Sequence, residues 1–268
     1  MYRSLPRTMV AGTLLLLAIL MGCGHETLLI PAGGSENRKT AAGNGGWLSV
    51  KDALALHNGL MISAQQDFIS LDQFLGELPD WLDDRLPEFL GDKSSWGDEV
   101  VAWLEQQPLT PNDLIRPDND QIKAEWQAQM EAYSEKGLLT PEAVTSVQDI
   151  LARFETGDLD LGPLQSWVRS VETTGTPAEQ QLAGVMLGSA MFWKSLPTTP
   201  RPGREIKAFT GSLVDFLMGF MVDSLWAASG GIIGTILGFV GSFVWWLAMY
   251  AEDNLEQEGD YPHWGVHH

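Results

Sequence analysis

Cysteine is almost absent from this chain of 268 residues, which has only Cys23. A single cysteine cannot form an intramolecular disulfide, so a disulfide framework is excluded. The sequence also has no Walker A, HExxH, GxSxG, SxxK or CxxC pattern, and therefore no motif that points to a reaction. We expect no enzyme activity and no cofactor.

Basic residues are scarce as well. The chain has 16 lysines and arginines against 35 aspartates and glutamates, which gives a formal net charge of −19. Phosphate backbones would repel such a chain, so we expect no nucleic-acid partner. A solvated, self-repelling surface explains the acidity, and so does a cationic partner or divalent ions; we favour the first explanation.

The first 22 residues have the order of a secretory signal peptide. Arg3 and Arg7 precede an uncharged stretch from Met9 to Met21 that is too short to span a bilayer comfortably. Its end, Leu20-Met21-Gly22-Cys23, resembles the lipobox of bacterial lipoproteins. The resemblance implies that Cys23 becomes the lipidated N-terminus of the mature chain. An ordinary signal peptide, or a signal anchor with a bystander cysteine, is the alternative.

The rest of the chain divides by composition. Residues 23–46 are rich in Gly, Ser, Asn, Thr and Ala, which predicts a flexible tether behind the lipidated residue. Residues 47–196 predict an acidic helical domain, because they contain helix-start signals and no sustained strand-type alternation. We predict a Pro/Arg linker over 197–207, a membrane-associated helical segment over 208–251 and an acidic, His-containing tail over 252–268.

Helix-start signals recur through the middle of the chain. Each Thr-Pro pair places a capping hydroxyl before a proline that suits the first helical position. The fold class predicted is all-α: an irregular bundle of about seven or eight short helices and a C-terminal apolar helical hairpin. The signals are Ser49 before Asp52, the pairs Thr110-Pro111, Thr140-Pro141 and Thr176-Pro177, and a stop at Gly137.

The C-terminal segment has no charge from Ser224 to Ala251. Small residues recur there at every fourth position, a spacing that lets another backbone approach closely and that is typical of membrane helices. We therefore predict a glycine zipper that self-associates or packs with a membrane protein, and favour it over a buried core helix. The zipper residues are Gly230, Gly234, Gly238 and Ser242.

Aromatic residues flank this zipper, as they do at membrane interfaces: Trp226 on one side, and Trp245, Trp246 and Tyr250 on the other. We predict a hairpin that turns near residues 229–231, or an amphipathic first helix lying flat on the bilayer as the close second. The polar residues predicted within the membrane, on an inner self-associating face, are Asp215 and Asp223.

Other polar groups are weaker candidates. We interpret His57 as a residue of the first helix rather than a catalytic base. His263, His267 and His268 form a weak metal candidate, because Pro262 and Gly265 disfavour a rigid helix in the tail. Helix capping, solvated helix faces and core packing better explain the remaining clusters, namely Asp118-Asn119-Asp120, Asp158-Leu159-Asp160, Asp83-Asp84, Asp98-Glu99 and the group Trp81, Trp96 and Trp103.

Together these features predict a non-enzymatic cell-envelope lipoprotein with a structural or interaction role. Its main domain would lie outside the cytoplasmic membrane, with membrane lipid and a homo-oligomer or membrane protein as partners. Gly24 after the lipidated cysteine is typical of outer-membrane sorting, whereas spanning helices favour the inner membrane. The sequence therefore does not decide between the inner and the outer membrane. The alternative is an apolar-ligand module in which residues 208–251 line a pocket. A pore former and an unrecognised hydrolase are less favoured.

Overall fold

The computed structural model describes residues 46–68, 70–90, 96–104, 119–195, 208–228 and 231–258; within these, it leaves undescribed the side chains of 103–104, 119, 208–212 and 248–258. The described residues form α-helices and no strands, so the all-α prediction is confirmed. The described part of the chain contains nine helices: α1 Val50–Asp67, α2 Leu71–Leu90, α3 Trp96–Leu104, α4 Asn119–Glu135, α5 Pro141–Glu155, α6 Gly162–Thr174, α7 Pro177–Ser195, α8 Ala208–Leu225 and α9 Ile232–Glu258.

Most of the predicted helix ends are present. The Ser49 hydroxyl accepts a hydrogen bond from the backbone N–H of Asp52 and thereby caps α1. Thr140 caps α5, with Pro141 as its first residue, and Gly137 follows α4 with a φ of 69°. These predictions are confirmed, whereas Thr110-Pro111 lies outside the described residues.

A buried carboxylate joins the starts of two helices. Glu179 Oε2 accepts from the backbone N–H of Thr176 at 2.8 Å, while the Thr176 hydroxyl accepts from the N–H of Glu179, which is a capping box at the start of α7. Its other oxygen, Oε1, accepts from both the N–H and the hydroxyl of Thr140 at 2.7 Å. The same side chain therefore ties the start of α5 to the start of α7.

The C-terminal hairpin, α8 and α9, lies in the centre of the bundle. α8 packs against α4, α7 and α9, and α9 packs against α1 and α3 as well. The segment over 208–251 thus shares a core with the helices of 47–196. Fully buried side chains of α9 include Ile236, Leu237, Phe239, Val240 and Phe243.

Hydrogen bonds from buried side chains hold the hairpin in place. Gln181 of α7 donates from Nε2 to the carbonyls of Ala227 and Gly231 in the turn, and its Oε1 accepts from the N–H of Leu48 at 3.1 Å. Tyr133 of α4 donates its hydroxyl to the carbonyl of Leu225 at 2.8 Å. The end of α8 and the turn after it are therefore fixed from two sides.

We predicted a transmembrane helix within this segment. Among the residues that the structure describes, no helix combines the length and the apolar character needed to cross a bilayer.

Two glycines of the predicted zipper allow α8 and α9 to approach closely. A Cβ on Gly234 would overlap the carbonyl oxygen of Trp226, and one on Gly238 would overlap that of Asp223. Both glycines are thus occupied by a contact within the chain. Self-association through them stays a prediction, and Gly230 lies outside the described residues.

Replacing Gly238 with alanine should destabilise the fold by about 1–3 kcal/mol, because the new methyl group would force α8 and α9 apart. The matched control is Gly76→Ala, since Gly76 lies in α2 with no atom within 4 Å of its Cβ position. That substitution should stabilise α2 by up to about 1 kcal/mol. Urea unfolding measures both; equal effects of the two substitutions would contradict the close packing.

Candidate functional site

The apolar core contains one compact group of polar side chains, which we name the His57 cluster. It consists of His57 and Asn58 from α1, Trp193 from α7, Asp223 from α8 and Ser242 from α9. All except the partly buried Asn58 are buried. The cluster therefore connects α1 and α7 with the two helices of the hairpin, α8 and α9.

A buried ion pair lies at the centre of the cluster. His57 Nε2 is 2.8 Å from Asp223 Oδ1, and neither side chain has any exposed surface. The contact lacks the angle of a good hydrogen bond, so charge attraction dominates it. On the other side of the ring, Nδ1 is 2.9 Å from Asn58 Oδ1.

The second oxygen of Asp223 is held by two donors. The Ser242 hydroxyl donates to Asp223 Oδ2 at 3.0 Å. The indole N–H of Trp193 is shared between Ser242 Oγ, at 3.0 Å, and Asp223 Oδ2, at 3.3 Å. Both carboxylate oxygens are therefore compensated, as a buried charge requires.

Glycines make room for the cluster. The Trp193 ring lies against Gly219, where any Cβ would overlap the indole. A Cβ on Gly188 would be 3.0 Å from Asn58 Oδ1 and 3.4 Å from His57 Nδ1. Larger side chains at these two positions would displace the polar groups from one another.

The surroundings of His57 act on its pKa in opposite directions. Burial of the ring is the largest effect and by itself lowers the pKa. The charge of Asp223, its close contact with Nε2 and the contact of Nδ1 with Asn58 together outweigh it, so the pKa of His57 is raised above the usual 6.5. The imidazolium form therefore persists to higher pH than in a free histidine.

The arrangement is that of a structural ion pair rather than a nucleophilic site. A serine nucleophile needs its hydroxyl next to a base such as histidine. Here Ser242 donates to Asp223, whose other oxygen faces His57, and both charged groups lack exposed surface. The cluster can hold helices together, and it can hold or release a proton at His57.

The structure places Asp223 and Asp215 differently. Asp223 faces His57 of the same chain and is fully buried, whereas Asp215, eight residues earlier in α8, is partly exposed. Trp226 is buried in the core, and Trp245 and Trp246 are half-buried against it. The predicted positions outside the described side chains are Cys23, Gly230, Tyr250, His263, His267 and His268.

Several of the weaker clusters have local structural roles. Asp158 and Asp160 accept hydrogen bonds from the backbone N–H groups of Asp160 and Gly162, just before α6. Trp81 stacks on Phe239 at 5.7 Å between ring centroids. Within the described part of the chain, no three His, Cys, Asp or Glu side chains are grouped so that they could hold a metal ion.

Our reasoning from sequence missed the pairing of His57 with Asp223. A signal for the burial of His57 was present, because it lies on the apolar stripe of α1 that includes Ala53, Leu60 and Ala64. A histidine on such a stripe needs a polar partner in the core. Nothing in the spacing shows that this partner lies 166 residues further along the chain.

A second feature is a half-open cleft of about 190 Å³ between α4, α8 and the end of α5. Its apolar side comes entirely from α8, and its rim carries the Lys123–Glu155 ion pair at 2.6 Å. The lining residues are Asp120, Lys123, Glu155, Val214, Leu217, Met218 and Met221.

In comparisons with known proteins, no family model matches the chain, and neither the curated proteins nor the solved structures give a significant match.

Breaking the buried pair from one side should be costly. Asp223→Asn leaves the His57 imidazolium without its counter-charge, and His57→Leu leaves the Asp223 carboxylate without its counter-charge. Each substitution should destabilise the fold by about 3–5 kcal/mol. The double variant should lose clearly less than the sum of the two, because it buries no charge.

The partly exposed Lys123–Glu155 pair is the matched control for this double-mutant cycle. Its coupling energy should be at most about 1 kcal/mol. Denaturant unfolding of both sets measures the difference. If the effects of His57→Leu and Asp223→Asn simply add, the two side chains are not coupled.

Proposed function

We propose that this protein is a lipid-anchored cell-envelope protein with a structural or interaction role. The observation that carries the proposal is the sequence Leu20-Met21-Gly22-Cys23 at the end of the apolar run that follows Arg3 and Arg7. Lipid on Cys23 would hold the main domain outside the cytoplasmic membrane. The tether of residues 24–46 would give the domain a reach of roughly 25 Å from the lipid.

The outer surface of the helical domain is the part that would meet a partner. Its described residues include few exposed large apolar side chains, namely Ile62, Met191 and Val214. Gly234 and Gly238 already contact α8, so in this fold they have no free face to offer to a second molecule. We therefore propose contacts through polar helix faces.

Replacing Cys23 with alanine should abolish incorporation of a radiolabelled fatty acid and shift the protein from the membrane fraction to the aqueous fraction after carbonate extraction. A matched control is the double variant Cys23→Ala with Ser35→Cys, which keeps one cysteine but moves it into the tether. That control should also stay unlabelled. Labelling of either variant, or unchanged membrane retention of both, would contradict an anchor at Cys23.

A second candidate function is the binding of a small apolar ligand. The cleft on α8 favours it, because Val214, Leu217, Met218 and Met221 form an apolar wall within the segment 208–251. Its volume of about 190 Å³ is below that of pockets for drug-sized ligands, so only a small apolar group would fit.

An apolar fluorescent probe tests this second candidate. Leu217→Ser removes part of the apolar wall and should weaken probe binding by roughly tenfold, the effect of losing about 1.4 kcal/mol of apolar contact. Ile62→Ser, at an exposed position of α1 outside the cleft, is the matched control and should leave binding unchanged. Equal affinities for both variants would mean that the probe does not bind in the cleft.

A further inference from the structure

Both ring nitrogens of His57 face an oxygen. Nε2 is 2.8 Å from Asp223 Oδ1, and Nδ1 is 2.9 Å from Asn58 Oδ1. The protonated ring places a positive charge beside the Asp223 carboxylate, whereas a neutral ring offers that carboxylate no charge.

The position of His57 connects its proton to the packing of the hairpin. Its partner Asp223 belongs to α8 and accepts a hydrogen bond from Ser242 of α9. His57 of α1 therefore contacts a carboxylate that links the two helices of the hairpin. Neither charged group has exposed surface, so solvent cannot replace the lost charge of the ring. Loss of the proton would leave a buried carboxylate without its counter-charge.

Asp223 is the only charged group that acts on the ring among the described side chains. On α7, Glu179 is bonded to Thr140 and Thr176, and Lys194 donates to the carbonyl of Leu159. On α8 the other acidic group is the partly exposed Asp215, and the described side chains of α9 include no titratable group. Among the described side chains, Asp223 is thus the one charged group whose interaction with His57 changes when the ring gains or loses its proton.

We propose that the His57–Asp223 contact is a pH-sensitive lock that holds the α8–α9 hairpin against α1 and α7, and that opens when His57 loses its proton. Opening would expose the apolar faces that the hairpin now buries. The lock does not depend on the lipid anchor and goes beyond the proposed interaction role.

The direction of the response follows from linkage. Since the pKa of His57 is raised in the folded protein, the native state holds a proton that the open state releases. The stabilisation is complete below a pH of about 6.5 and is lost as the pH rises through the folded pKa. Over that interval the equilibrium constant for opening should rise roughly tenfold per pH unit.

Hydrogen exchange of the full chain in detergent, between pH 6 and pH 9, tests the lock. After correction for the intrinsic exchange rate, amides of α8 and α9 should exchange faster with the slope of one proton, while amides of α5 and α6 change little. His57→Gln has no proton to lose, so its α8 and α9 amides should exchange fast and independently of pH. A flat profile in the unaltered protein, or an unchanged slope in His57→Gln, would overturn the proposal.

A second variant keeps the test informative if His57→Gln does not fold. Asn58→Asp adds a negative charge 2.9 Å from Nδ1, which should hold the proton more tightly and move the opening to higher pH. Arg153→Gln, in the exposed Arg153–Asp158 ion pair, is the charge-altering control and should leave the profile in place. An unchanged opening pH in Asn58→Asp would also overturn the lock.

Discussion

The close contact between α8 and α9 is the constraint on which the rest of the core depends. Glycines at positions 234 and 238 let the two backbones touch, so the hairpin is thin enough to be enclosed by the other helices. Its apolar side chains then serve as the packing partners of α1, α3, α4 and α7. In this fold the other helices of the protein, rather than lipid, provide the apolar surroundings of α8 and α9, although the sequence of the hairpin resembles that of membrane helices.

Burial of this hairpin also takes polar groups into the core, and the structure compensates the charge of Asp223 and the carbonyls of the turn in specific ways. Asp223 has an imidazole on one oxygen and two donors on the other, while Gln181 satisfies carbonyls of the turn. Such groups contribute little net stability relative to apolar residues, but they are costly to leave without partners. They therefore fix which helices meet, and the apolar contacts supply most of the stabilisation.

The two parts of the proposed function, the lipid anchor and the interaction role, rest on different kinds of evidence. The anchor at Cys23 rests on a sequence pattern outside the described residues, whereas the interaction role rests on a helical domain whose described residues expose few large apolar side chains. The His57 lock that we propose would add a way for pH to alter that exterior, since an opened hairpin changes the surface that the domain presents. The cleft on α8 would be altered by the same movement.

The sequence by itself determined the all-α class and the caps at Ser49, Thr140 and Thr176, because capping chemistry and apolar runs are local properties of the chain. Only the tertiary structure decided what the hairpin packs against and what neutralises Asp223. An apolar helix looks the same in sequence whether lipid or protein surrounds it. Likewise, His57 and Asp223 meet only because α1 and α8 cross in the core, and no local pattern records a contact across 166 residues.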